Sequence, residues 1–147
     1  MKLTTKGRYA VRAMLDLAMQ ENASLVLLKD IAERQEIPQR YLEQVMVALK
    51  TSGLVNSVRG ACGGYALARQ PADINLIDIL RVSIGDICLV DCAKDPAVCS
   101  RSATCAARDI WVEVGAAIDG LLGAISLQDL VERQRNKSSN GSDMYFI

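Results

Sequence analysis

Three cysteines in the second half of the chain have a spacing that suits metal chemistry. Cys92, Cys99 and Cys105 are separated by six and then five residues, and Lys94-Asp95-Pro96 marks a turn in the loop. Thiolates are soft ligands, and three on one loop favour an iron–sulfur cluster. Structural zinc usually pairs cysteines about two to four residues apart, which this spacing does not do. Inert or disulfide-forming cysteines remain the alternative.

Two further cysteines lie outside this triplet. Cys88 precedes Cys92 by four residues and is a candidate extra ligand. Because Ile87 and Leu89 flank Cys88, a small buried hydrophobic role is the favoured interpretation. Cys62 lies in a distant glycine-rich segment, where we predict a packing role or an adventitious thiol rather than a ligand.

The composition removes several classes of function. The 147 residues contain no histidine, which excludes Ser-His and Cys-His catalytic pairs and His-ligated zinc hydrolases. We find no other catalytic constellation, so an enzyme is not expected. No apolar run reaches the ~18 residues of a membrane span, and no apolar segment follows the start at residues 1–6. We therefore expect a cytoplasmic protein without membrane contact, in which five cysteines do not form a disulfide framework.

The net charge of zero hides two unequal halves. Residues 1–70 contain ten Lys or Arg and six Asp or Glu, a net charge of +4, and the remaining residues carry −4. A basic N-terminal half joined to an acidic C-terminal half favours a polyanion-binding module followed by a part with a different task.

Three helices are expected in the N-terminal half. Apolar residues recur at helical spacing from Gly7 to about Glu21 and over residues 29–35. Pro38 suits the start of a third helix over residues 39–50. The apolar stripe of this third helix consists of Leu42, Val45, Met46 and Leu49. Its opposite face carries Gln39, Arg40, Glu43, Gln44 and Lys50.

A hairpin is expected after the third helix. Residues 54–59 and 65–68 have β-like sequences and enclose Gly60-Ala61-Cys62-Gly63-Gly64. Two short helices followed by a hairpin are typical of a winged helix-turn-helix, whose second helix meets base edges while the wing approaches phosphates. Three packed helices with an ordinary hairpin would show the same periodicity, but the charge asymmetry favours DNA binding.

The C-terminal half is expected to contain a connecting helix over residues 74–83, an irregular segment over 86–91 and a long helix over 108–125. The long helix has a near-heptad apolar seam, which favours a dimer over packing within one chain. Ser126 is a plausible N-cap of a short final helix. The predicted divisions are a DNA-binding domain over 1–72, a connection over 73–91, a cysteine loop over 92–107, a dimerisation helix and final helix over 108–134, and a disordered tail over 135–147.

The chain resembles the Rrf2 family of transcription regulators, and within it the iron–sulfur cluster regulators. The resemblance covers about residues 1–132, and the start and wing motifs are specific in combination. The matching residues are Met1–Ala10, Tyr41–Gln44, the wing Val58–Tyr65, the cysteine triplet and Trp111 in the long helix.

The resemblance implies a fold that is mainly α with a small β wing, in which a winged helix-turn-helix precedes a long dimerisation helix. It implies a homodimer that binds double-stranded DNA at a palindromic operator and mainly represses cluster-assembly genes, including its own operon. It also implies a [2Fe-2S] cluster on Cys92, Cys99 and Cys105, supplied by cluster-assembly proteins, whose occupancy changes the choice of promoter.

The resemblance also assigns roles to the residues that would read DNA. By position, Glu43 and Gln44 would face bases, and Arg40 would face bases or phosphate. Arg59 and Gly60 would enter the minor groove from the wing. A carboxylate can accept a hydrogen bond from the cytosine amino group but repels most other groove surfaces, which suits Glu43 as a discriminator between operator classes.

The sequence departs from the best-known cluster regulators of the family at one position. Those proteins use a histidine three residues after the third cysteine as the fourth ligand, and Arg108 stands there in this chain. Arginine cannot ligate iron because its guanidinium stays protonated and has no free lone pair to offer. The fourth ligand therefore stays open, with a partner-subunit residue or an exogenous thiol as alternatives. Candidates in this chain are Asp109, Glu113, Cys88, Asp91 and Asp95.

Together these observations predict a cluster-sensing transcriptional repressor. Within the same family, the alternatives are a nitric-oxide or redox sensor and a cluster-free regulator that responds to a metabolite or a partner protein. From another class, an iron–sulfur electron carrier would need neither the basic half nor the wing.

Overall fold

A computed structural model of the chain describes residues 3–20 and 22–143. This part of the chain is mainly helical, with one two-stranded antiparallel sheet. The elements are α1 (Thr5–Met19), α2 (Leu28–Gln35), α3 (Gln39–Thr51), β1 (Val55–Val58), β2 (Gly64–Leu67), α4 (Leu76–Ile84), α5 (Asp91–Lys94), α6 (Ala106–Ala124) and α7 (Leu127–Asp143). Single 3₁₀ turns lie at Pro71–Asp73 and Pro96–Val98.

Helix α1 forms the centre of the core. The Thr4 hydroxyl oxygen caps its start by accepting a hydrogen bond from the Gly7 amide at 3.1 Å. One face of α1 is buried and packs against α2, α3, α4 and α7. The apolar residues of this buried face are Ala10, Ala13, Met14, Leu17 and Ala18.

The turn between α2 and α3 is short and tightly bonded. Glu36 adopts a left-handed conformation with φ of 51°, and the Ile37 amide donates to the Ala32 carbonyl at 3.0 Å. This arrangement satisfies carbonyls at the end of α2, as in a Schellman motif. Ile37 is buried, and Pro38 caps α3, so the turn fixes the direction in which α3 leaves. The predicted apolar stripe of α3 is confirmed, because Leu42, Val45, Met46 and Leu49 are all buried.

The predicted hairpin is also confirmed, and it forms a wing. β1 and β2 pair from Val55 opposite Leu67 to Val58 opposite Gly64. Val26 extends this sheet, because its amide and carbonyl exchange two bonds of 2.8 Å with Tyr65. This third segment was not predicted, since a single bridged residue leaves no alternating pattern in the sequence.

The core continues beyond the predicted domain boundary at residue 72. Ile74 and Ile79 from the connecting region and Leu127 and Val131 from α7 are buried in the same cluster as α1. The Leu127 amide donates to the Ile74 carbonyl at 2.7 Å, which ties the two ends of the C-terminal half together. The first turns of α7 are therefore part of the N-terminal core.

Residues 135–143, expected to lie in a disordered tail, instead continue α7 to Asp143. The buried start of α7 supplies the nucleus that an isolated polar helix lacks, and Arg135 and Lys137 favour helix. Residues 138–143 are weak helix formers and continue the helix from this nucleus. The rest of the predicted tail, residues 144–147, lies outside the described residues, as does Glu21 at the predicted end of α1. In the described residues, no helix is both long and apolar enough to cross a bilayer.

Candidate DNA-binding surface and cysteine loop

The outward side of α3 carries every residue of this helix that the sequence predicted to contact DNA. Gln39, Arg40, Glu43, Gln44 and Lys50 are exposed, while the opposite stripe packs into the core. At about 100° per residue, Arg40, Glu43 and Gln44 lie within about 100° of one another, and Gln39 and Lys50 lie at one flank. Such a face presents two amides, two cations and one carboxylate to a groove.

The wing tip depends on glycines where other residues would collide with backbone. A Cβ on Gly63 would lie 2.2 Å from the Val58 carbonyl oxygen, and a Cβ on Gly64 would lie 2.7 Å from the Val26 carbonyl oxygen. Gly60 has a φ of 109°, which favours glycine. Arg59 and Gly60, the two wing residues predicted to contact DNA, are therefore exposed on a tight turn.

A buried carboxylate anchors α2 to α1, and the sequence analysis missed it. Asp16 accepts bonds of 3.0 and 2.7 Å from the Arg34 guanidinium and one of 3.0 Å from the Gln35 amide. The hydrogen bond from Arg34 to Asp16 raises the pKa of Arg34 above its ordinary value. Arg12 adds a bond from its guanidinium to the Gln35 carbonyl. A charged residue on the otherwise apolar face of α1 was the signal that could have indicated this pair.

Two tyrosines connect α1 to the start of α3. The rings of Tyr9 and Tyr41 meet edge to face with centroids 5.5 Å apart, a favourable aromatic geometry. The Arg12 guanidinium lies 5.9 Å from the Tyr9 ring centroid. Both helices of the helix-turn-helix are thus fixed to α1 by polar or aromatic contacts as well as by the apolar core.

The cysteine loop runs from α5 to the start of α6. Cys92 lies in α5, Cys99 follows the second 3₁₀ turn and Cys105 caps α6, and all three are half-buried. The Ser102 hydroxyl donates to the Cys99 carbonyl at 2.8 Å. The Arg108 Nε donates to the Cys92 carbonyl at 2.8 Å, which joins the two ends of the loop.

The described residues contain no group of three Cys, Asp or Glu side chains placed to hold a metal ion. The three predicted cysteine ligands therefore share one loop without being gathered in this conformation. Of the candidate fourth ligands, Asp109 and Glu113 are exposed on α6, and the Cys88 thiol donates to the Val90 carbonyl at 2.9 Å. Arg108, where the resemblance led us to expect a histidine, uses its guanidinium to hold the loop.

Near the loop, an ion pair fixes the segment that leads into it. The Lys94 ammonium lies 2.9 Å from the Asp86 carboxylate. The hydrogen bond from Lys94 lowers the pKa of Asp86, and the same contact raises the pKa of Lys94. Both groups are exposed, so this pair contributes little to the free energy of unfolding.

Helix α6 leaves much apolar surface uncovered. None of its residues is buried in the single chain, although it packs on α4 and α5. The Arg81 guanidinium and the Asp119 carboxylate join α4 to α6 at 3.0 Å. The exposed large apolar residues of α6 are Ile110, Trp111, Val112, Val114 and Leu121.

Comparisons with known proteins agree with this architecture. A family model described as "Rrf2: Iron-dependent Transcriptional regulator" matches residues 3–133. The HTH-type transcriptional regulator IscR of Xenorhabdus nematophila is 40% identical over 134 residues, which cover 91% of this chain and 81% of that protein. The solved structure of CymR, the global cysteine regulator of B. subtilis, matches with a TM-score of 0.76 at 35% identity, covering 90% of this chain and 98% of that one.

A second solved structure, T. potens IscR, matches with a TM-score of 0.75 at 40% identity and covers 91% of this chain and 88% of that one. The winged helix-turn-helix predicted from the sequence is thus confirmed by structural neighbours as well as by the arrangement of α2, α3 and the wing. The extent of the family match and the identity to these relatives show that the chain belongs to the Rrf2 family of helix-turn-helix transcriptional regulators.

Proposed function

We propose that the protein binds a palindromic operator as a homodimer and represses genes for iron–sulfur cluster assembly. The exposed polar face of α3 beside the glycine-built wing carries the DNA-binding part of the proposal. The net charge of +4 over residues 1–70 supports it, because cationic surfaces attract the phosphate backbone. Gln39, Arg40, Glu43, Gln44 and Lys50 would contact the major groove, and Arg59 and Gly60 the minor groove.

The homodimer part rests on the uncovered side of α6. Exposed apolar residues concentrated on one long helix mark an interaction surface rather than ordinary scatter. A second copy of the chain fits this surface, because two recognition helices and a two-fold axis then match the two halves of a palindrome.

The sensing part rests on the chemistry of the cysteine loop. Cys92, Cys99 and Cys105 would hold a [2Fe-2S] cluster, which when bound supplies an iron centre sensitive to cluster supply and oxidation. Three half-buried thiols on one loop fit such a group in donor type. Because the thiols are not gathered in this conformation, the loop must close further to hold it. The relatives named IscR and the description of the family model support this assignment.

The fourth ligand remains a choice among Asp109, Glu113, Cys88, a partner-subunit residue and an exogenous thiol. Asp109 and Glu113 lie one helical turn apart near the start of α6, on the element that directly follows Cys105. Cys88 would have to give up its contact with the Val90 carbonyl. We favour a carboxylate at 109 or 113, whose hard oxygen would leave the cluster labile.

A cluster-free regulator that responds to a metabolite or a partner protein is the second candidate. The similarity to CymR supports it. If the protein is such a cluster-free regulator, the cysteine loop would only connect α4 to α6, and the three thiols would be dispensable for DNA binding.

Anaerobic purification with iron and sulfide counting distinguishes these candidates when it is combined with binding to the DNA upstream of the protein's own gene. We expect bound iron and sulfide, and a change in operator affinity or promoter choice when they are lost. Cys92→Ala should contain neither iron nor sulfide and should lose the cluster-dependent change in DNA binding. Ser100→Ala, an exposed change in the same loop, should keep both the cluster and this change. If the wild-type protein contains no iron and Cys92→Ala keeps full operator affinity, the cluster-free regulator is favoured. If no specific complex forms at either of two salt concentrations, a DNA-binding role is excluded.

A further inference from the structure

One exposed apolar residue stands in the middle of the polar face of α3. Val47 is 63% exposed, whereas the apolar stripe on the opposite side of α3 is buried. At about 100° per residue, Val47 lies between Glu43 and Gln44 around the helix and within about 20° of Arg40. Val47 lies outside the buried stripe, and helical periodicity alone assigns no role to an apolar residue on the polar face.

Val47 differs from the other exposed apolar residues in its location on the polar face of α3. Scattered surface valines are normal in proteins and need no special explanation. Val47, however, faces almost directly away from the buried stripe of α3, among side chains suited to hydrogen bonds. The Thr51 hydroxyl, one turn further on, donates to the Val47 carbonyl at 2.9 Å, so this hydroxyl is occupied within the helix. The C-terminal half of this face therefore offers an apolar contact beside the polar ones.

We propose that Val47 reads the 5-methyl group of a thymine in the major groove. This inference rests on the proposed DNA-binding function of α3. Among the groups that base pairs present in the major groove, the thymine methyl is the apolar one, and apolar side chains recognise it by contact. A polar base edge facing Val47 would lose its water without gaining a partner, so the same side chain also disfavours other bases at that position.

The geometry also places this thymine relative to the other contacts. Val47 lies one helical turn, about 5.4 Å, beyond Glu43 and Gln44. Base pairs are stacked about 3.4 Å apart, so the thymine should lie one or two base pairs from a pair contacted by Glu43 or Gln44. In a homodimer the contact occurs once in each half of the operator.

Replacing thymine by deoxyuracil tests this contact because it removes only the 5-methyl group. Anaerobically purified full-length protein first selects its preferred duplex from random-sequence DNA. Each thymine in that duplex is then replaced singly, in one half-site at a time. At one position we expect a loss of about fourfold in affinity, which corresponds to the ~0.8 kcal/mol of one buried methyl-sized group.

Variants at Val47 then assign the effect to this side chain. Val47→Ala should bind the thymine duplex more weakly and bind the thymine and deoxyuracil duplexes equally at that position. Since the site is exposed and alanine favours helices, this variant should fold. Val98→Ala, at a similarly exposed valine in the cysteine loop, should retain the full effect.

A deoxyuracil effect that persists in Val47→Ala would overturn the inference, as would its absence at every thymine with the wild-type protein. If the wild-type protein selects no sequence at all, the DNA-binding proposal itself fails and this inference fails with it. Selection of a defined duplex without a Val47-dependent methyl effect leaves DNA binding standing and removes only the role of Val47.

Discussion

Replacing Asp16 with alanine tests how far the placement of α2 depends on one buried carboxylate. Asp16 is 3% exposed and accepts two hydrogen bonds from Arg34 and one from Gln35. Hydrogen bonds to charged groups contribute about 1.5–3 kcal/mol each to the free energy of unfolding. Because Arg34 is 39% exposed and water weakens its contacts, we expect each of its two bonds to contribute less than this. The substitution also removes the cost of burying the carboxylate. We expect a net loss of about 2 kcal/mol in the free energy of unfolding.

Thermal unfolding at a fixed protein concentration measures this loss. A change of 2 kcal/mol corresponds to a fall in Tm of about 4–8 °C for a chain of this size. Glu33→Ala is the control, because it removes an exposed carboxylate from α2, the helix that Asp16 anchors. Arg34→Ala should cost less when Asp16 is already absent, which a double-mutant cycle reveals. A fall in Tm below about 1 °C, or an equal fall in Glu33→Ala, would refute the anchoring role of Asp16.

The wing and the long helix give two further predictions. Gly63→Ala should disrupt the wing tip, because its Cβ would lie 2.2 Å from a backbone oxygen, and we expect a large loss of operator affinity in mobility shifts with little change in helical circular dichroism. The exposed neighbour Cys62→Ser should bind normally, and normal binding by Gly63→Ala would contradict this account of the wing. Leu121→Asp, at a residue 65% exposed in the single chain, should give folded monomers in sedimentation experiments, whereas Val98→Asp should remain dimeric. A dimeric Leu121→Asp would move the interface away from that part of α6.

Local patterns were sufficient to predict the elements that form the candidate DNA-binding surface. The spacing of Leu42, Val45, Met46 and Leu49 identified the buried side of α3, and its exposed side followed directly. Glycines between two β-like runs identified the wing. In each case the signal lies within about a dozen consecutive residues, and the structure adds only the packing partners.

Long-range contacts were not predictable from those patterns. The Asp16–Arg34 pair joins residues 18 positions apart, and Leu127 packs on an element more than a hundred residues earlier. Nothing local distinguishes Arg34 from other exposed arginines of the chain. The cysteine loop shows the opposite case, because its three cysteines were predicted as ligands from their spacing and the family resemblance, while their relative placement depends on α5, α6 and Arg108.

Helix α4, together with the start of α7, connects the cysteine loop to the candidate DNA-binding face within one chain. α6 follows the loop and contacts α4 through the Arg81–Asp119 ion pair, and α4 packs in turn on α1 and α3. The Leu76 amide at the start of α4 donates to the Ile125 carbonyl at 3.0 Å, just after α6 ends. We therefore predict that a change in the loop that tilts α6 alters the support beneath α3. Because coupling between two sites is reciprocal, we then expect an operator that favours one position of α3 also to favour the ligand state of the loop that accompanies it.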